Sequence, residues 1–156
     1  MKLEHLKKMI KSNNLHCSPF GFIMLIQHRT GCRVSEVLKV GWRDIVNENE
    51  IIVRVGKESI NKRVFIPEMS AFLPRYKQYQ VNPFEGVSRY QMYRLYKRLG
   101  IVVENGPNKK DSVTHAFRKQ YAQSTYDTTD SLEITKDVLG HRSINSTGYY
   151  VKRKKA

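Results

Sequence analysis

The sequence predicts a mostly α-helical (α+β) domain with a small antiparallel β-hairpin or sheet at one side. Three observations carry that expectation. Apolar residues recur at helical spacing through the first forty residues and again from residue 88 onward. Between these regions the period changes: Ile51, Ile52, Val53 and Val55 form one β-rich run, and Val64, Phe65 and Ile66 a second. With 156 residues, no internal repeat and no linker, the chain reads as one domain over 1–156 with one hydrophobic core.

The elements follow in order. Leu3, Leu6, Met9 and Ile10 give a helix over 3–12, ended by Asn13-Asn14. Ser18-Pro19 reads as an N-cap followed by proline at the first helical position, opening a buried helix over 19–29. Thr30-Gly31-Cys32 breaks it, and a short helix follows over 35–40. Residues 56–63 read as the polar connection of the hairpin, and Pro67 ends its second strand. A short helix is expected over 69–79, a loop at 82–86, an amphipathic helix over 88–99 and a polar loop at 104–112. Three helical segments close the chain, at 114–126, 130–140 and 143–150.

Lys and Arg number 28 against 14 Asp and Glu, a net charge of +14. Positive charge of this size, spread along the chain, favours a polyanionic partner, with nucleic acid first. The longest apolar stretch, around Phe20 to Ile26, is far too short to span a bilayer. The start, Met-Lys-Leu-Glu-His, has no apolar core behind it and does not read as a signal peptide. Cys17 and Cys32 lack zinc-ligand spacing with the five histidines and read as reduced thiols, which points to the cytoplasm. No metal and no cofactor are expected. Asp44, Glu48 and Glu50 read as solvated polar residues before the hairpin, not as a metal-binding cluster.

Four short stretches carry the polar chemistry. In the first, TGCRVSEVL at 30–38, a glycine turn leads to Arg33 at a helix start, with Glu36 three residues on. A cation is mildly disfavoured there by the helix dipole, which hints at an anion nearby; a plain surface arginine is the alternative. The second is the hairpin turn, with Lys57 after Gly56 and Lys62-Arg63 at the return. The third, THAFR at 114–118, places His115 and Arg118 three apart on one helix face. The fourth, LGHRSINSTGYY at 139–150, ends a helix at Gly140, continues with His141, and leads through a helix capped by Ser143 to Tyr149-Tyr150. Any one of these is as well explained by packing or by a solvated surface.

Taken together and in this order, the stretches resemble the tyrosine recombinase (phage integrase) family. Thr30-Gly31-Cys32-Arg33-Val34-Ser35-Glu36 matches the family's Thr-Gly-x-Arg-x-Ser-Glu motif, and Trp42-Arg43-Asp44-Ile45 resembles the segment after it. Gly56-Lys57 and Arg63-Val64-Phe65-Ile66-Pro67 match its hairpin. His115-Ala116-Phe117-Arg118 matches its His-x-x-Arg motif, and Leu139-Gly140-His141 its Leu-Gly-His motif, with Tyr150 nine residues after the histidine. The resemblance runs from about residue 3 to residue 152.

The resemblance implies an enzyme that cuts and rejoins double-stranded DNA without metal or ATP, self-assembling on it as a dimer or tetramer. It implies Tyr150 as the nucleophile, linked to a DNA 3′-phosphate. Arg33 and Arg118 would clamp the non-bridging oxygens, His115 and His141 would assist, and Lys57 would protonate the leaving 5′-oxygen. Tyr149 competes with Tyr150, and Lys62 with Lys57; the family spacing favours Tyr150 and Lys57. The sequence departs from the family at Lys119, where many members have histidine, and in the six residues after Tyr150, where many continue into a helix that docks on a neighbouring protomer. The N-terminal DNA-binding domain usual in the family is not in this sequence, which is read as a fragment of a longer integrase or as a compact stand-alone member. A type IB topoisomerase-like activity, a helical DNA-binding regulator that never cuts and an inactive relative stand as alternatives.

Overall fold

Helices, sheet and helices follow one another as the hydrophobic period changes, and the sheet lies against the helices through one face. The computed structural model describes residues 1–56, 60–70, 81–101, 113–140, 147 and 151. Helix α1 (Leu3–Ser12) buries Leu6 and Ile10, four apart on one face, with Glu4 in its first turn and Lys11 in its last. Helix α2 (Pro19–Thr30) starts where the Ser18 hydroxyl accepts from Phe20 N at 3.2 Å. It is buried nearly all round, from Gly21 through Gln27, and is the central helix of the core. A left-handed Gly31 (φ 70°) ends it, and its side without a Cβ faces the ring of Tyr121. The short α3 (Val34–Leu38) follows, with Val34 and Val37 inward.

The sheet has the antiparallel order β1 (Ile45–Asn47), β2 (Glu50–Val55), β3 (Ile60–Phe65) among the described residues. Ile51 pairs with Val64, Val53 with Lys62 and Val55 with Ile60; on the opposite face Arg54 pairs with Asn61 and Ile52 with Arg63. Ile51, Val53 and Val55 turn into the core. Two details differ from the sequence reading. β1 joins the hairpin, being too short to show a period. And β3 begins at Ile60, inside the stretch 56–63 expected to be a connection. The alternation there is hidden because an inward position carries a lysine, Lys62.

The carboxylate Asp44, expected to be solvated, is 2% exposed. It closes the 3₁₀ turn Trp42–Asp44 by accepting from Gly41 N at 2.9 Å, and it holds Arg54 of β2 at 2.8 Å. Glu48 is exposed, as expected, and Glu50 pairs with Arg63 across the strands.

Helix α4 (Arg89–Arg98) opens on a reciprocal cap, Gln91 N to the Ser88 hydroxyl and Ser88 N to the Gln91 side chain. It buries Met92, Leu95 and Tyr96, while Tyr90 is 65% exposed and stacks on Tyr93. Helix α5 (Ala116–Thr129) follows a 3₁₀ turn, Val113–His115, and ends at a left-handed Asp130. Helix α6 (Leu132–Leu139) is capped by Ser131 and ends at a left-handed Gly140 (φ 69°). The helix expected over 69–79 and the loop at 104–112 lie outside the described residues apart from Met69 and Ser70, the former ending a 3₁₀ turn from Pro67. Of the helix expected over 143–150 only Thr147 is described, and it is helical and buried. No helix among the described residues is long and apolar enough to cross a membrane.

Asp44→Ala leaves the Gly41 N–H and Arg54 without their acceptor. It is expected to lower the unfolding free energy by about 1–3 kcal/mol, seen as a fall in the midpoint of urea unfolding. An unchanged midpoint would show that the carboxylate is not holding the turn.

Candidate active site around the Thr30–Arg33 turn

The chain between α2 and α3 turns sharply, and each of its four residues Thr30–Arg33 has a main-chain polar group held by a side chain from outside the turn. The carbonyl of Thr30 accepts from Lys62 Nζ at 2.9 Å, that of Gly31 from Arg118 Nη1 at 2.8 Å, and that of Cys32 from Gln27 Nε2 at 2.9 Å. The N–H of Cys32 donates to the Thr30 hydroxyl at 3.1 Å, and that of Arg33 to Glu36 Oε1 at 2.8 Å. Strand β3, helix α5, helix α2 and helix α3 thus each send one side chain to four consecutive residues.

These side chains reach the other motifs as well. Arg118, 0% exposed, donates through Nη2 to Leu139 O at 2.9 Å, at the end of α6 and two residues before His141. The second oxygen of Glu36 accepts from Gly56 N at 2.5 Å, one residue before Lys57. Gln27 Nε2 also donates to Thr114 O at 3.3 Å, one residue before His115, and its oxygen accepts from the buried Tyr96 hydroxyl. Gly56 and Gly140 meet main chain to main chain: a Cβ on Gly56 would lie 2.2 Å from Gly140 O. Val151, next in sequence to Tyr150, is buried with Ala122, Tyr126 and Leu139.

The four separated stretches therefore converge. Arg33 stands at the N-terminus of α3 with its side chain 35% exposed, and among the described residues its guanidinium is partnered by Glu36 at 3.7 Å. His115 is half-buried, ends the 3₁₀ turn and stands at the N-cap of α5, three residues before Arg118. A 3₁₀ turn at a helix start carries no period that a sequence could show. Lys57, His141, Tyr149 and Tyr150 lie outside the described residues. Lys62, the competitor of Lys57, is among the described residues, and its ammonium is 4.8 Å from the centroid of the Tyr121 ring. Gln27, Glu36 and Tyr96 complete the network. Gln27 has one sequence signal, a lone amide in the otherwise apolar run of α2; Tyr96 has none.

Burial dominates the electrostatics. It pushes the Cys32 thiol up to about 11, against the hydrogen bond with Thr30 that pulls it down. It pulls the Lys62 ammonium below the ordinary lysine value, with Arg118 adding to the fall and Cys32 and Glu36 opposing it. The Tyr121 hydroxyl is raised by the same cause. Lys119, the departure from the family pattern, is 6% exposed. Among the described residues no group of three or more His, Cys, Asp and Glu could hold a metal ion.

Two predictions follow from this geometry. Arg118→Ala removes the donor from two carbonyls in the interior, at about 1–3 kcal/mol each, so the urea midpoint should fall well below that of Asp44→Ala. At pH 8 a thiol reagent should modify one cysteine per native chain, the exposed Cys17, and two after denaturation; rapid labelling of Cys32 in the native chain would contradict its burial.

The sequence model of the phage integrase family matches residues 2–156. A probable integrase/recombinase protein of Methanocaldococcus jannaschii is 26% identical over 169 residues, covering 96% of this chain and 50% of that protein. The chain spans half or less of the length of the curated relatives it matches. Among solved structures, the XerH site-specific recombinase bound to its difH substrate superposes with a TM-score of 0.65 at 19% identity, over 99% of this chain and 51% of that one. The catalytic domain of bacteriophage HP1 integrase superposes with a TM-score of 0.60 at 20% identity, over 96% of this chain and 84% of that one. The likeness in fold and the match along the whole sequence agree with the converging motifs: the chain belongs to the phage integrase family.

Proposed function

We propose that this chain is the catalytic domain of a site-specific DNA recombinase, which cuts and rejoins double-stranded DNA through a 3′-phosphotyrosine bond to Tyr150. The observation that carries the reading is the pair of bonds from Arg118 to Gly31 O and Leu139 O. They hold the segment before Arg33 and the segment before His141 on one guanidinium. The other two motifs are tied in through Glu36 to Gly56 and through Gln27 to Thr114.

In this reading Arg33 offers its partly exposed guanidinium to the non-bridging oxygens of the scissile phosphate, where charge builds up in the transition state. Arg118 is the second arm. A guanidinium has five N–H donors, and two of those of Arg118 go to the Gly31 and Leu139 carbonyls. His115 and His141 supply hydrogen bonds to the same oxygens or assist proton movement. The Tyr150 oxygen attacks phosphorus, the bond to the 5′-oxygen breaks, and Lys57 gives that oxygen its proton. The phosphotyrosine keeps the ester, so the 5′-hydroxyl of an incoming strand reverses the step without ATP.

The partner is double-stranded DNA. The net charge of +14 favours it, and so does the outer face of α4, where Arg89, Arg94, Lys97 and Arg98 are exposed. XerH, with the same fold, is bound to its difH substrate. Strand exchange needs more than one active site, so the chain works as a dimer or tetramer on DNA, in the cytoplasm of a cell or of a phage's host. The 84% coverage of the HP1 catalytic domain supports reading 1–156 as one catalytic domain.

A nicked suicide duplex tests the reading. Wild-type protein should give a protein–DNA adduct that survives denaturant. Tyr150→Phe should abolish it and leave DNA binding intact, while Tyr149→Phe should still form it. A sulfur in place of the bridging 5′-oxygen leaves without a proton, so it should restore most of the rate lost in Lys57→Ala and none of that lost in Arg33→Ala. Absence of any adduct would favour a regulator that binds without cutting; equal rescue of both variants would remove Lys57 from its role.

A further inference from the structure

Strand β3 turns alternate residues inward, and one of the inward positions is a lysine. Lys62 pairs in register with Val53, which is 0% exposed, and the next inward residue on its own strand, Val64, is 4% exposed. An aliphatic side chain would complete that face; burying an ammonium there costs free energy unless the charge is used. Among the described residues Lys62 makes one hydrogen bond, to Thr30 O at 2.9 Å, and it lies over the Tyr121 ring.

Thr30 is the last residue of α2. Carbonyls of a final helical turn lack intrahelical partners and carry the negative end of the dipole, so a cation is well placed there. The next carbonyl, Gly31 O, takes Arg118. Cations from β3 and α5 therefore hold consecutive carbonyls, three and two residues before Arg33. Tyr121 closes the other side, since a Cβ on Gly31 would lie 2.7 Å from its ring. Burial lowers the Lys62 ammonium most, and the charged or ionisable groups that act on it are Cys32, Arg118 and Glu36, all members of the same turn or of its supports.

We propose that Lys62 is a positioning residue for Arg33: its ammonium fixes the end of α2 and so sets the direction in which the turn presents the Arg33 guanidinium to a phosphate. This rests on the reading of Arg33 as a phosphate ligand. It gives Lys62 a role separate from that of Lys57, because Lys62 acts on main chain and not on the leaving oxygen.

The experiment is single-turnover cleavage of a suicide duplex by the full chain. The scissile phosphate is either ordinary or a methylphosphonate, which lacks the non-bridging charge. Lys62→Met should slow cleavage of the ordinary duplex by about tenfold to a hundredfold, the size of a small misplacement of a reacting group. Lys62→Arg, which keeps the charge, should recover most of that loss. On the methylphosphonate the Lys62→Met loss should shrink in step with that of Arg33→Ala. The double variant Arg33→Ala/Lys62→Met should be no slower than Arg33→Ala, because both changes remove one interaction. If Lys62→Met fails to fold, Lys62→Gln, a neutral donor, carries the same comparisons. Losses that multiply in the double variant, equal losses on both duplexes, or a Lys62→Arg as slow as Lys62→Met overturn the inference. A wild-type rate for Arg33→Ala on the ordinary duplex sinks the reading of Arg33 itself, and the role of Lys62 with it.

Discussion

A guanidinium inside a protein must find acceptors, and Arg118 finds two of them at the ends of helices. The last carbonyls of a helix have the matching need, since no residue further along bonds to them. One side chain meets both needs twice, at Gly31 and at Leu139. The two helix ends are thereby fixed with respect to α5 and to each other. Each is followed by a left-handed glycine region, Gly31 at φ 70° and Gly140 at φ 69°, which turns the chain away at once. Arg33 follows the first of these turns by two residues, so the main chain from which it starts is fixed by Arg118.

Around this centre the interior is more polar than a core of its size requires. Gln27, Thr30, Thr114 and Arg118 are all buried, as are the aliphatic and aromatic residues of the core cluster. An apolar filling would pack as well, but it would leave the carbonyls of the Thr30–Arg33 turn and the N–H groups of Arg33 and Gly56 without partners. Satisfied polar networks in low dielectric rigidify what they connect. Here they connect main chain of the motif segments and leave the Arg33 side chain partly open to solvent.

The fold was largely legible because its helices are written in period and punctuation. Ser18-Pro19, Ser88 and the glycines at 31 and 140 mark ends that the structure keeps within a few residues. What escaped was whatever the sequence does not repeat. β1 has three residues, too few for an alternation. Lys62 on the inward side hides the start of β3, and the burial of Asp44 has no local signal, because its partner Arg54 lies ten residues on. For the site, order and spacing of the motifs brought out Arg33, His115 and Arg118. The supports Gln27 and Lys62 act through main-chain carbonyls, which every residue has. No pattern of side chains announces them.

The meeting of Gly56 with Gly140 has a mechanical consequence. Packed side chains absorb small movements by changing rotamer, so neighbouring elements usually have some play between them. Where backbone touches backbone that play is gone, and the hairpin and the end of α6 form a joint without slack. Lys57 begins one residue beyond one half of the joint and His141 one residue beyond the other. Any displacement of the end of α6 at Gly140 is therefore passed to the end of β2 at Gly56, and a displacement there is passed back.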